Sequence, residues 1–318
     1  AHLVGARNNH GARAVLRQAL VATLAFSLMV MTVALSVSGE LPRWLRGGEE
    51  ICGGATDYFR LVSLTLPFSQ MAMLCSGMLR SSGNVVVPSL SNVALCALDV
   101  VFNFLLIFPC RTAGLLGVEL WLPGAGLGIR GAALGTMASE IVVSGFLLWY
   151  VFRRSRTLRL CHEKGSFLPR KACLRRAVKI SLPMGVQHLV MTGAQVVSTS
   201  IVAPLGKMSI AANSFGVTAE SICYMPGYGI ADAAQTLVGQ SLGAGRERLM
   251  RNFARVSVVM GMGVMGVMGA VMYAGAPLMM ELLTPVEEIR ALGVEALRIE
   301  AFAEPMFAAA IVCYGVFV

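Results

Sequence analysis

The sequence predicts an all-α polytopic membrane protein, a bundle of eight transmembrane helices in two pseudo-symmetric lobes. Three observations predict it. Of 318 residues, 56% are hydrophobic and 14% charged, where a soluble domain carries about 25% charged residues, so polar surface is too scarce to solvate a globule of this size. The apolar residues gather into long runs separated by Gly, Pro or charge. Two sets of residues also recur at nearly constant separation, which marks an internal duplication.

A hydrocarbon core about 30 Å thick is crossed by about 20 apolar residues in a helix. Eight stretches approach that length, at 15–38, 58–80, 86–109, 126–152, 176–203, 208–238, 250–278 and 294–318. Barrel strands would be about 10 residues of alternating polarity. These runs are longer and apolar on all sides, so helix is expected throughout.

The net charge of +9 resides in short segments between the runs rather than on an aromatic-interleaved face, which points away from nucleic acid and toward orientation in a bilayer. Arg7, Arg13, Arg17, Arg80, the basic run from Arg153 to Lys179, Arg246, Arg248, Arg251 and Arg255 fall on one side. That side is expected to be cytoplasmic, in a multi-pass protein of a bacterial inner membrane. The eight cysteines occur singly, with no CxxC pair and no His spacing for zinc, so neither a disulfide framework nor a structural metal is expected.

The duplication sets the domain division. Leu3-Val4-Gly5 with Arg17 recurs as Leu237-Val238-Gly239 with Arg251, an offset of 234; Arg60, Pro67, Cys75 and Gly77 recur as Arg298, Pro305, Cys313 and Gly315, an offset of 238. The matching segments run the same way through the membrane, so the repeats are parallel, with a central cavity expected between the lobes. An N-terminal lobe is placed at 1–152, a basic cytoplasmic linker at 153–175 and a C-terminal lobe at 176–318. The chain lacks an initiator Met and stops within the apolar Val316-Phe317-Val318. The expectation is a piece of a longer protein, with two of six helices per half absent at each end.

No enzyme is expected. Gly126-Leu127-Gly128-Ile129-Arg130-Gly131 fits GxGxxG but opens a membrane helix with no strand before it, and there is no HExxH, GxSxG or Walker sequence. Gly124 with Gly128 and Gly131 with Gly135 read instead as small-residue faces that let helices approach closely.

Ionisable groups inside spans are the informative residues, because each is costly in lipid and faces a cavity or a partner. They are Asp99, Glu140, Glu220, Asp232, Glu300 and Glu304. Asn92, Asp99 and Asn103 form one polar stripe, and Thr136 with Glu140 a similar one on the next span. Facing oxygens on adjacent helices suit a cation site, and equally suit hydrogen bonds that only fix packing. Gln187, Met191 and Gln195 share a face of the fifth run, where they line a wet substrate path or join helices. Glu300 and Glu304 lie one turn apart before Pro305, as paired structural groups or as coupling carboxylates.

Met225-Pro226-Gly227-Tyr228-Gly229-Ile230-Ala231, followed by Leu237-Val238-Gly239-Gln240-Ser241-Leu242-Gly243-Ala244-Gly245, resembles the end of the eighth helix and the next loop in the multidrug and toxic compound extrusion (MATE) family. Supporting matches are Leu79-Arg80-Ser81-Ser82-Gly83 with Pro88, Leu98-Asp99, Leu105-Leu106-Ile107-Phe108, Gly131-Ala132-Ala133 with Thr136, and Leu182-Pro183. The resemblance covers essentially the whole chain and corresponds to family helices three to ten. It implies a secondary antiporter, a monomer in the lipid bilayer, that exports cationic or amphipathic compounds in exchange for Na⁺ or H⁺ by alternating access. No cofactor is implied beyond that coupling ion.

By the same resemblance, Asp99 matches the Asp of a fifth-helix Asn-x-x-x-Asp pair and Thr136 a sixth-helix Thr. With Asn103 they form the cation-coupling set, Na⁺ at Asp99 being the one metal contact implied. The sequence departs from the family where Leu95 replaces the Asn, and where Met191 and Phe307 stand at acidic positions of the seventh and tenth helices. Gln187, Met191, Gln195, Glu140 and Glu304 are the substrate-cavity candidates. A lipid-linked precursor flippase is the alternative; it calls for basic residues in its cavity, and none lies well inside a span. A non-transporting scaffold or receptor leaves the duplicated lobes and Asp99 unexplained.

Overall fold

The computed structural model describes every residue except 41–48, 116–117, 156, 160–170, 203, 205 and 318. Much of the expected linker at 153–175 therefore lies outside the described residues. The described elements are α1 (His2–Gly5), α2 (Asn9–Val37), α3 (Glu49–Ser81), α4 (Val86–Ile107), β1 (Pro109–Leu115), β2 (Val118–Ala125), α5 (Ile129–Arg153), α6 (Lys171–Val202), α7 (Lys207–Gly243), α8 (Glu247–Leu283), α9 (Glu287–Ala301) and α10 (Glu304–Phe317). They form two compact units: Asn8–Arg170, and Lys171–Val318 together with Ala1–Arg7.

In the first unit, α2 starts where the Asn8 side chain accepts a 2.8 Å hydrogen bond from the Gly11 amide, satisfying one of the donors a helix N-terminus leaves open. α5 is the central element, packed on α3 and α4, while α2 lies on α3. The α4–α5 contact is close because Gly131 faces the Leu106 carbonyl and Gly135 faces Asn103. Either glycine would collide if given a side chain, which is the small-residue packing of membrane helices. At the mouth of the bundle, Arg130 places Nε 3.0 Å and Nη2 2.6 Å from Asp57 Oδ2, joining the start of α5 to α3. Because the arginine side chain is 66% exposed, Arg130→Ala is expected to lower stability by under about 1 kcal/mol; thermal unfolding of the purified protein measures it.

In the second unit, α7 and α8 form a long antiparallel hairpin turning at Gly245, whose φ of 70° is reached at low cost only without a Cβ. α9 and α10 pack against both, and α6 lies on α7. The core gathers Cys223, Met272, Met280, Ile289 and Leu297. The short α1 lies on the end of α7, Gly5 against Gln240 and Gly243 against His2. The repeat-related segments Leu3–Gly5 and Leu237–Gly239 thus meet in this unit.

Burial departs from that of a soluble protein in two respects. Val100, Leu189, Val259, Leu282 and Phe302 are exposed, while Ser27, Ser63, Ser91, Ser139, Ser144, Ser257 and Glu304 are buried. Many buried hydroxyls return to a carbonyl of their own helix, as Ser63 Oγ does to Phe59 at 2.7 Å and Ser91 Oγ to Val87 at 2.8 Å. Apolar outer faces with small polar residues at helix contacts suit a lipid solvent.

The all-α bundle carries one exception among the described residues, and two expectations are corrected. Among the described residues, strand occurs at Pro109–Leu115 and Val118–Ala125, between two of the apolar runs, where β1 and β2 pair antiparallel, Thr112 opposite Trp121 and Leu115 opposite Val118. Phe108, ahead of Pro109, is extended at φ −90° and ψ 146°, as the proline ring demands of the residue before it. The following segment then satisfies its backbone groups by pairing instead of by helix.

The final run at 294–318 is not one helix. It breaks at Phe302 and Ala303 into α9 and α10, bent by 57°. Pro305 has no N–H to donate to the Ala301 carbonyl and its ring crowds that carbonyl. The freed oxygen lies against Gly269 of α8.

The second correction concerns the expected eight spans. Among the described residues, α2, α3 from Gly53, α4, α5 and α8 are long and apolar enough to cross a membrane, and the bent α9–α10 pair makes a sixth. α6 and α7 are 32 and 37 residues long but fall outside that set. Gln187, His188, Thr192 and Gln195 in α6, and Asn213, Glu220, Asp232 and Gln235 in α7, dilute their apolar character without shortening the helices.

Candidate functional site

In the first unit the polar residues of α4 and α5 converge. Asp99 and Asn103 are one turn apart on α4, and Asn103 Nδ2 donates to Asp99 Oδ2 at 3.1 Å. Ser139 of α5 donates to the other carboxylate oxygen at 3.5 Å, at the outer limit of such a bond, and also to the Thr136 carbonyl at 2.8 Å. Glu140 is hydrogen-bonded to Ser69 of α3 and lies within electrostatic reach of Asp99. Three helices thus bring two carboxylates, an amide and hydroxyls to one place.

Two oxygens of this cluster stand open. Asn103 Oδ1 and Glu140 Oε2 are buried and accept no hydrogen bond, although buried acceptors are almost always satisfied. Unused oxygen lone pairs beside a carboxylate are what a hard monovalent cation takes as ligands, and the carboxylates themselves take a proton. No group of three His, Cys, Asp or Glu residues suited to a metal ion occurs among the described residues. The donor set is therefore one of mixed amide, hydroxyl and carboxylate oxygens.

Of the three sequence-predicted coupling residues, Asp99 and Asn103 are bonded directly. Thr136 touches the cluster through its carbonyl, one turn from Ser139. Ser139 and Ser69 were not legible as site residues, since a serine in a membrane helix commonly bonds its own helix carbonyl, and Ser139 does that as well.

The second unit holds a cavity of about 200 Å³, walled by α6, α7 and α10. Gln187 and Met191 face it from α6, Tyr228 and Asp232 from α7, and Phe307 and Tyr314 from α10. Tyr224 stacks edge-on to both Phe307 and Tyr228, at 6.0 and 5.8 Å between ring centroids, which stiffens one wall. The Tyr314 hydroxyl is buried with no hydrogen-bond partner. The lining contains the Asp232 carboxylate, the Gln187 and Gln235 amides, the His188 imidazole and aromatic rings, and neither Lys nor Arg, a combination that accommodates cationic, partly apolar molecules.

The other cavity candidates lie elsewhere. Gln195 is exposed farther along α6, Glu140 belongs to the first unit's cluster, and Glu304 is buried at the α9–α10 break. Tyr228, Asp232 and Tyr314 were missed as cavity residues because only the α7–α10 packing turns them toward Gln187.

Long helices with apolar outer faces, and ionisable groups held inside among small polar residues, define a multi-pass membrane protein of the transporter class. The chain belongs to the MatE family of membrane transporters, whose profile matches residues 1–105 and 183–318. It is similar to the probable multidrug resistance protein NorM of Thermotoga maritima, at 26% identity over 250 residues, covering 78% of this chain and 50% of that protein. It is also similar to NorM of Xanthomonas campestris, at 24% identity over 86% of this chain and 57% of the relative. The multidrug export protein MepA of Staphylococcus aureus matches at 23% identity over 68% and 44%. The chain spans about half the length of the curated relatives it matches.

Solved structures agree on the fold. A MATE protein in the straight conformation superposes with a TM-score of 0.84 at 20% identity, covering 99% of this chain and 67% of that one. The outward-facing conformation of a multidrug resistance MATE family transporter gives 0.83 at 20% identity, covering 99% and 70%.

Proposed function

We propose that the whole protein is a secondary antiporter that exports cationic or amphipathic compounds in exchange for Na⁺ or H⁺ by alternating access. The chain supplies the equivalent of helices three to ten of the family, in two lobes joined by the basic linker, with its basic loops cytoplasmic. The observation that carries the reading is the Asp99–Asn103–Ser139 cluster with its open acceptors. Asp99 is the coupling carboxylate, Asn103 and Thr136 supply further oxygens, and the cation removes the buried charge. A cation bound more tightly in one arrangement of the helices shifts the population toward it, which is how a gradient does work.

Gln187 and Met191, with Asp232 opposite, form part of the substrate path. A lining that holds a carboxylate and no Lys or Arg supports cationic cargo over the anionic headgroup of a lipid-linked precursor.

Dye efflux from energised vesicles containing the full-length protein tests the proposal, with the Na⁺ and pH gradients collapsed separately. One gradient is expected to drive efflux and its collapse to stop it. Efflux indifferent to both gradients overturns the antiporter reading.

A further inference from the structure

One end of the first unit carries a polar recess of about 810 Å³ that the transport reading leaves unused. One wall is the α3–α4 turn, which contributes Asn84, Val85 and Val86; the other is the end of α5 with the turn beyond it, which contributes Arg153, Arg154 and Arg159. Both walls are held in place. α3 closes at Gly83, whose φ of 92° lets the Asn84 amide reach the Leu79 carbonyl at 3.0 Å, a glycine-capped helix end. The Asn84 side chain accepts from the Val87 amide at 3.3 Å and donates to the Tyr150 hydroxyl at 3.2 Å, so one residue fixes the turn to α5. Beyond α5, Ser155 Oγ accepts from the Leu158 amide at 3.2 Å, and Arg13 of α2 donates to the Thr157 carbonyl at 3.1 Å.

The charge in the recess is one-sided. Arg153, Arg154 and Arg159 are exposed, and none of them has a hydrogen bond or an ion pair among the described residues. The described lining holds no carboxylate. Three guanidiniums around one recess repel one another, and a phosphate relieves that repulsion while accepting paired N–H bonds from their planar forks. An ammonium group would find no partner there, so an anionic headgroup suits the lining better than a zwitterionic one.

The position of the recess points to the source of the phosphate. α3 from Gly53, α4 and α5 are each long and apolar enough to cross a membrane, and they meet the recess where α3 ends at Ser81, α4 starts at Val86 and α5 ends at Arg153. That is the level at which hydrocarbon gives way to headgroups. The rim is apolar on the α4 side, where Val85 is 50% and Val86 67% exposed, and Trp149, one turn before Arg153, is exposed as well. Trp is enriched at that interface, and acyl chains can leave along the valines into lipid.

We infer that this recess binds the phosphate of an anionic phospholipid headgroup, with Arg153, Arg154 and Arg159 as its ligands. The site does not rest on the antiporter reading; only the choice of leaflet does, through the cytoplasmic placement of the basic loops. A bound headgroup joins Arg153 and Arg154 at the end of α5 to Arg159 beyond it, and so keeps the start of the linker at the membrane surface.

Native mass spectrometry of delipidated full-length protein in neutral detergent, titrated with phosphatidylglycerol or phosphatidylcholine, tests this with no gradient and no cargo. Phosphatidylglycerol is expected to be retained in preference, its tightest affinity falling at least about tenfold when Arg153→Gln, Arg154→Gln and Arg159→Gln are combined. Each single replacement is expected to give part of that loss, and the singles carry the test if the triple variant fails to fold. Arg248→Gln, Arg251→Gln and Arg255→Gln together remove the same charge from the second unit and are expected to leave the affinity unchanged. Equal losses in the two triple variants would mean a general attraction between a basic surface and anionic lipid, and would overturn the site, as would equal retention of the two lipids. Displacement by millimolar inorganic phosphate would assign the recess to a free anion and overturn the lipid assignment. Efflux indifferent to both gradients, with this lipid binding intact, would sink the antiporter reading and leave the headgroup site standing.

Discussion

Full-length protein carrying Asp99→Asn is expected to lose gradient-driven efflux while reaching the membrane in normal amount. The substitution preserves size and leaves an oxygen for one of the two donors that reach this position, Asn103 Nδ2 at 3.1 Å and Ser139 Oγ at 3.5 Å. It removes the charge and turns one acceptor oxygen into an NH2 donor. Moving an equilibrium from 1:99 to 99:1 takes a ligand that prefers one state by about 10⁴-fold, and a neutral amide cannot supply that preference for a cation. Initial rates of dye efflux, normalised to expression, measure the effect. Efflux retained at normal rates would remove Asp99 from the coupling role. Glu140→Gln is the informative companion: Glu140 is tied to Ser69 and only electrostatically coupled to Asp99, so a smaller loss is expected.

Gly135→Ala should damage the same site through packing. A Cβ at Gly135 would stand 2.5 Å from Asn103 Oδ1 and 3.0 Å from the Asn103 backbone nitrogen. Asn103 must swing away and give up its bond to Asp99, at an overpacking cost of about 1–3 kcal/mol. Gly131→Ala makes a useful contrast, because Gly131 abuts the Leu106 and Ile107 backbone, which cannot rotate aside. Gly131→Ala is expected to lower thermal stability more, and Gly135→Ala to impair coupling more for each degree of stability lost. Equal impairment at equal stability would mean that helix spacing alone matters and that Asn103 has no special part.

Much of the helix layout was legible because lipid imposes a simple rule: each backbone polar group is satisfied inside its own segment. The apolar runs near 15–38, 58–80, 86–109, 126–152 and 250–278 each fall on a single helix. The Asp99–Asn103 pair was legible for a related reason, since residues four apart on a helix share a face whatever surrounds them. Contacts between elements were not legible in that way. The Ser139 bond to Asp99, the Ser69 bond to Glu140 and the turning of Asp232 toward Gln187 depend on how helices approach, which no single helix encodes.

The repeat makes the division concrete. Pro67 and Pro305 are equivalent by the 238-residue offset, and both sit seven residues after an arginine and eight before a cysteine. Pro67 lies inside the continuous α3, whereas Pro305 stands in the first turn of α10, after a break. The sequence by itself determined a multi-pass helical protein, its family and the polar stripe on α4, because composition, periodicity and motif spacing are local properties. Only the tertiary structure decided which proline breaks its helix, because the neighbouring helix has to accept the carbonyl that proline releases. Gly269 of α8 leaves room for the Ala301 oxygen and for Glu304 beside it.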